Sequence, residues 1–312
     1  MSENTIIENR DLLASCWTWA GDAAPLRGDE TSPIDIRTRV EAVARAGWKG
    51  VGLIHADLPQ IEATIGLKGL KQLLDDNGIV HVEMEFLADW WKTGTVRAES
   101  DRWRGILLET AGVLGVKTIK IGAELAISGE PAPVDAAAFH EEFDALATQA
   151  GNAGTRVALE PMPMNNLKTI EIGAKFVTEV NNPYGGLTVD TWHTYRGGTS
   201  YADLAGILPM DKVFVVEIDD ARAEVTGSLW EDTINERLYP GEGEMDTAGF
   251  IKAMYEAGWR GHWGVEILAE SHRRLPLETA VTRAYAAAAA SLDAAERLIA
   301  EERTVSGTSM QN

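Results

Sequence analysis

Val157-Ala-Leu-Glu-Pro-Met-Pro163 runs apolar residues into a single acid, Glu160, and then into two prolines that forbid the strand from continuing in a hydrogen-bonded ladder. A carboxylate at the end of a buried strand is costly unless something compensates its charge. The pattern recurs three times: Gly186-Leu-Thr-Val-Asp190, Val213-Phe-Val-Val-Glu217 and Trp263-Gly-Val-Glu266 each bring an apolar run to an acid. Four such strand ends predict a shared divalent cation held by Glu160, Asp190, Glu217 and Glu266. An all-oxygen donor set favours Mn2+ or Mg2+ over zinc.

Outward from these strands the chain alternates between strand and helix signals. Residues 1–10 are polar and read as a loose arm, and residues 12–19 as a first strand. Ser32-Pro33 has the form of an N-cap with proline at the first helical position, and Gly47 closes that helix. Gly50 to Ile54 is a second strand, followed by a helix ended by Asn77-Gly78. In the third strand, residues 79–86, Glu83 and Glu85 alternate with Val82, Met84 and Phe86, which places Glu85 on the luminal face near the strand's C-terminal end. A helix over 101–114 leads to a fourth strand, 116–122, that carries Lys120; a helix over 134–153 leads to the strand ending at Glu160. Helices over 168–180, after Ser200, and from Asp246 to Ala257 separate the remaining strands, with a long connection at 219–245. A helix over 277–301 closes the chain, and residues 303–312 read as a flexible tail. Eight repeats without a linker between them predict a single (β/α)8 TIM-barrel domain spanning 1–312. A doubly wound sheet is disfavoured because no glycine-rich turn follows the first strand. In a barrel the C-terminal strand ends form the active face, where all four acids fall.

The composition narrows the function. The chain of 312 residues is 45% hydrophobic and 24% charged, enough for an ordinary packed core, and its net charge is −20. That charge opposes a nucleic-acid backbone or an anionic membrane surface as partner. A lone cysteine, Cys16, excludes an internal disulfide and a cysteine-built metal site. No apolar run reaches the length of a membrane span, so a cytoplasmic enzyme is the expectation.

Other residues fall near the predicted mouth. His193, three residues after Asp190, is a candidate catalytic group; His55, closing the second strand, is a candidate substrate contact. His81 and His262 open their strands and belong to the opposite face; His140 lies on a helix, and His272 is left open. Lys120 is read as a substrate hook or the partner of Glu85, since a lysine in a barrel strand needs a counter-charge. Trp17, Trp19, Trp90 and Trp91 stand near strand ends, as aromatic walls for a sugar or as core. Arg237, before Tyr239-Pro-Gly-Glu-Gly-Glu244, is a candidate clamp on a lid-like loop.

Ala158-Leu-Glu-Pro, Val189-Asp-Thr-Trp-His193, Val216-Glu-Ile-Asp-Asp-Ala221, Arg237-Leu-Tyr-Pro-Gly-Glu-Gly243 and Gly264-Val-Glu266 resemble the sugar phosphate isomerase/epimerase superfamily, the xylose isomerase-like barrels. The resemblance implies metal ligation by Glu160, Asp190 and Glu266 and substrate contact by His193. Where Glu217 stands the family usually has histidine, which makes this mouth more anionic, and Asn166 stands where some ketose epimerases keep an acid. The implied reaction is removal of a proton next to a carbonyl of a sugar or keto-sugar, with Glu160 and Glu266 as the acid–base pair. Isomerisation or epimerisation is the first expectation. Cleavage of 3-keto C-glycosides, as in one branch of the superfamily, is the alternative, and a non-catalytic sugar-binding barrel a third. A homo-oligomer is expected, or for the cleaving branch a complex with a small β-sheet subunit. An abasic-site endonuclease is opposed by the acidic surface and by having only six histidines.

Overall fold

A computed structural model describes residues 5–309. Eight parallel strands close into one barrel in chain order: β1 Leu12–Ala14, β2 Gly50–Ile54, β3 His81–Leu87, β4 Thr118–Ile121, β5 Val157–Leu159, β6 Gly185–Asp190, β7 Val213–Ile218 and β8 Trp263–Val265. The strands are buried on both faces, which is why their sequences read as near-continuous apolar runs. Their outward side chains join the helices in one core that includes Val51, Leu53, Met84, Ile119, Leu159 and Val189. This is the predicted (β/α)8 barrel.

The first strand is shorter than expected. It ends at Ala14, and Cys16–Trp19 turns helical. The cause is local: the Cys16 N–H donates to Glu85 Oε1 at 3.1 Å instead of to a neighbouring strand. The helix after it also starts later than predicted. Asp35, not Ser32, caps Ile36–Ala46 by accepting from the N–H groups of Arg37 and Thr38. Ser32 instead ties the preceding loop, donating from Oγ to Ala20 O and accepting nothing from the helix. Gly47, at φ 102°, ends that helix as predicted.

Residues 5–10 and 303–309 are more ordered than the polar composition suggests. Ile7 is buried, and the N–H groups of Ile6 and Ile7 donate to Glu296 Oε1 at 3.0 and 2.8 Å, so residues 5–10 are docked against the last helix. That helix runs Leu277–Ser309 and takes in most of the expected tail; residues 1–4 and 310–312 lie outside the described residues. Among the described residues no helix is long and apolar enough to cross a membrane.

The connection at 219–245 is built, not slack. It contains a helix, Leu229–Asn235, closed at its start by a capping box between Ser228 and Glu231. Asp220 then pins the rest: its carboxylate accepts from the N–H groups of Ala221, Gly241 and Met245 and from Thr247 Oγ1, at 2.9 to 3.1 Å.

Candidate active site

Glu160 directly follows β5, Asp190 ends β6, Glu217 lies in β7 and Glu266 directly follows β8. Glu160, Glu217 and Glu266 each bring a carboxylate oxygen into one buried group, the oxygens lying within 4.8 Å of one another. Asp190 stands outside that group. Its Oδ1 caps the short helix Thr191–Arg196, accepting from His193 N at 2.8 Å, and its Oδ2 accepts from Arg237 Nη1 at 2.9 Å. The four acids read from the sequence thus separate into three that converge and one that is already committed.

Two buried cations thread this mouth. Lys120, in β4, crosses the lumen so that Nζ lies 2.7 Å from Glu85 Oε2, 2.8 and 3.0 Å from the two oxygens of Glu217, and 3.4 Å from Glu266 Oε1. Burial alone would strip its proton, but Glu217, Glu85 and Glu266 outweigh that and hold the ammonium well above the ordinary lysine range. Arg237 donates to Asp190 and Asp219 and lies 3.2 Å from Glu266 Oε2. Six carboxylates, Glu85, Glu160, Asp190, Glu217, Asp219 and Glu266, are buried with these two cations. His193 adds no charge, because burial and the Arg237 guanidinium hold its imidazole well below the usual range.

The surplus of negative charge collects at Glu160. Its Oε1 is buried without a hydrogen-bond partner. Burial, reinforced by Glu266 and Asp190, pushes its carboxyl up to about 8 against the opposing pull of Lys120 and Arg237. An orphaned oxygen, a converging all-oxygen donor set and uncompensated charge together fit a divalent cation among Glu160, Glu217 and Glu266.

A cavity of about 510 Å³ opens above this floor. Glu85, Glu160, His193, Arg237 and Glu266 face it, while Trp17, Ile54, Phe86, Met162, Met164, Trp230 and Leu268 give it an apolar upper wall. His55 lines the rim; its Nδ1 accepts from Phe86 N at 3.3 Å and its ring meets Trp103 edge-on. Of the four tryptophans singled out above, only Trp17 lines this cavity. Trp19 donates to Gly52 O beneath the Arg39 guanidinium, and Trp90 packs on Phe139 and Phe143. Trp91 donates to Glu124. Arg237 is not on a lid: it is buried, held from below by Asp219 and from the side by Thr233 Oγ1 at 2.9 Å.

Asp219, Trp230 and Thr233 are among the site residues that the sequence did not single out. Asp219 follows Glu217 by two, the strand period that returns a side chain to the same face, so its luminal position was legible. Trp230 and Thr233 sit on the helix announced by Ser228-Leu-Trp-Glu231, a capping-box pattern.

The remaining histidines are structural by position. His81 and His262 stack 4.5 Å apart at the opposite end of the barrel, bonded to Asp11 and Glu83, and His140 is on an exposed helix face. His272 is buried between Thr18 O and the Tyr239 hydroxyl, each at 2.9 Å, so Nε2 carries the proton and Nδ1 accepts. Burial pushes this imidazole down to about 4. The unfolded chain therefore takes up the proton first. The contribution of His272 is complete above pH ~6.5 and is lost as pH falls from there through about 4, amounting to about 3 kcal/mol at most. Melting curves of wild type and His272→Gln should converge across that window; parallel curves would contradict it.

A family model described as a xylose isomerase-like TIM barrel matches residues 40–295. A 3-dehydroshikimate dehydratase of Pseudomonas putida is 26% identical over 244 residues, covering 76% of this chain and 37% of that protein. An inosose isomerase of Bacillus subtilis is 26% identical over 183 residues, covering 57% of this chain and 63% of that protein. The matched region thus spans a little over a third of the dehydratase and under two thirds of the isomerase. Among solved structures, the IOLI protein with a bound zinc atom superimposes with a TM-score of 0.75 at 19% identity, covering 92% of this chain and 98% of its own. The solved structure is similar in fold, and the relatives named for a reaction are enzymes.

Proposed function

The chain belongs to the xylose isomerase-like TIM-barrel family, and from that premise we propose that it is a divalent-metal-dependent enzyme that removes a proton next to a carbonyl of a sugar or keto-sugar, isomerising or epimerising it. The observation that carries this reading is the convergence of Glu160, Glu217 and Glu266 under an open cavity, with one Glu160 oxygen unpartnered. These three residues would hold the ion, Mn2+ or Mg2+ by their donor set; the zinc of the IOLI structure lends support to a divalent ion in this fold. Bound there, the ion would polarise a substrate carbonyl and acidify the neighbouring C–H.

The chain's own groups supply the rest. Each glutamate has two oxygens, so Glu160 and Glu266 can serve the ion with one and face the substrate with the other, taking and returning the proton. His193, neutral and with Nε2 accepting from Arg237, offers its unpartnered Nδ1–H as a donor to a hydroxyl without adding charge. Arg237 fixes Asp190 and lies 3.3 Å from His193 Nε2, so it sets the orientation of that ring. His55 and Trp17 bound the substrate from the rim.

A second reading draws on a separate observation. The apolar upper wall, with Trp17, Met162, Met164 and Trp230, exceeds what a small sugar needs and suits a ring bearing an apolar substituent. Expulsion of a group at the β carbon after the same deprotonation would make the enzyme a lyase acting on 3-keto C-glycosides. The similarity to dehydratases, which are named for an elimination, favours keeping it.

Both readings share one test. Incubated in deuterated water, the protein should wash deuterium into the carbon next to the carbonyl of a keto-sugar or keto-glycoside. Chelation should stop the exchange, and Mn2+ or Mg2+ should restore it. Turnover that carries a substrate deuterium intact into product would mean hydride transfer and sink the proposal.

A further inference from the structure

We propose that the Lys120 ammonium is a built-in second cation: it takes, among Glu85, Glu217 and Glu266, the place of a second divalent ion, and its removal turns the mouth into a two-ion centre.

The geometry is that of a bound cation. Carboxylates from β3, β7 and the end of β8 surround Nζ, with oxygens at 2.7 Å for Glu85, 2.8 and 3.0 Å for Glu217 and 3.4 Å for Glu266. The ammonium and all three acids are buried. The neighbouring group of Glu160, Glu217 and Glu266 has the same composition, three glutamates from three strands, and shares two members with it. Carboxylates common to two adjacent cations are the arrangement that bridges paired metals in two-ion enzymes. Here one of the two cations is tethered to β4 by a side chain.

The backbone makes room for these acids. A Cβ on Gly52 would lie 2.9 Å from Glu85 Oε1, and one on Gly264 would lie 2.7 Å from Glu217 Cγ. Both carboxylate arms are therefore seated against glycines, in space that any larger residue would fill. If the lysine were shortened, what would remain is three buried carboxylates without their nearest positive charge, which must either take up protons or find a cation. A lysine-to-alanine change also vacates the length of the lysine stem, space enough for an ion and water. Glu217 accepts from Lys120 with both its oxygens. The acid and the lysine thus act as a pair.

The inference rests on the metal reading only for the starting number; the gain of one ion does not. Wild type, Lys120→Ala, Lys120→Arg and Lys120→Ala/Glu85→Gln would be purified without chelator and equilibrated with Mn2+. Ions per chain would be counted by mass spectrometry and placed by anomalous diffraction. Lys120→Ala should hold one Mn2+ more than wild type, seated between Glu85, Glu217 and Glu266. Lys120→Arg and the double variant should match wild type. A Lys120→Ala count equal to or below wild type overturns the proposal. Should that variant not fold, wild-type crystals at high Mn2+ decide: an ion touching Glu85 beside Lys120 overturns it, and ions confined to the Glu160 side support it. Absence of any ion in wild type would defeat the metal reading alone, and a Lys120→Ala variant that then takes up one ion would still bear the inference out.

Discussion

Glu160→Gln and Glu266→Gln should each lower turnover about 10³-fold or more, close to 4 kcal/mol of transition-state stabilisation. The two losses have different origins. Glu160 Oε1 makes no hydrogen bond, with His193 Nε2 3.5 Å away, so an amide there costs no established bond. The variant should keep much of its ion and lose the base. Glu266 lies between two cations, 3.4 Å from Lys120 and 3.2 Å from Arg237. An amide there turns an NH2 toward one of them or gives up an acceptor, so Glu266→Gln should lose ion as well as base. Metal content measured beside kcat separates the cases, and solvent deuterium exchange should disappear in both. A variant that keeps activity within tenfold of wild type would take that residue out of the proton transfer.

The barrel was readable because its strands are short apolar runs, each with a helix after it and a glycine or capped start between. The C-terminal acids were readable for the same reason: Glu160 stands between an apolar run and two prolines, Glu266 is a lone charge between Val265 and Ile267, and a charge set in a buried run announces a site. What the sequence could not convey is which charges meet. Lys120 and Glu217 are 97 residues apart and paired across the lumen; nothing in either strand's own pattern links them. Asp190 carries the same strand-end signature as the other three acids; only the structure shows that its carboxylate also caps the Thr191–Arg196 helix and meets Arg237. The tryptophans, open in the sequence between cavity wall and core, divide for a related reason. Trp19 and Trp90 each satisfy their indole N–H on a backbone carbonyl, and a buried tryptophan so partnered reads in sequence like one lining a cavity.

Arg237→Met should reduce folding stability by about 3–5 kcal/mol, the range for breaking a buried ion pair from one side. The guanidinium is buried and serves Asp190 at 2.9 Å, Asp219, Glu266 at 3.2 Å, Thr233 at 2.9 Å and His193 at 3.3 Å, with the Trp192 ring 5.4 Å away. Methionine replaces the stem and much of the volume, so packing alone would leave the change mild; the loss comes from carboxylates stripped of their counter-charge. Asp219 is the most exposed to this, since burial and the neighbouring Asp190 already push its carboxyl well above the usual range, with Arg237 opposing them. The deficit therefore has a sign in pH. At neutral pH the variant must bury ionised carboxylates or protonate them; as pH falls through the carboxylate range the unfolded chain protonates too, and the gap to wild type should narrow. Arg237→Lys keeps a charge for the acids that Nη1 serves but loses Nη2, which reaches Thr233 and His193, so its stability should fall between wild type and Arg237→Met. Denaturant unfolding at neutral and acidic pH measures all three. A variant within about 1 kcal/mol of wild type at neutral pH, the median for a surface pair, would mean that water reaches these carboxylates and that Arg237 is the mobile clamp of a lid after all.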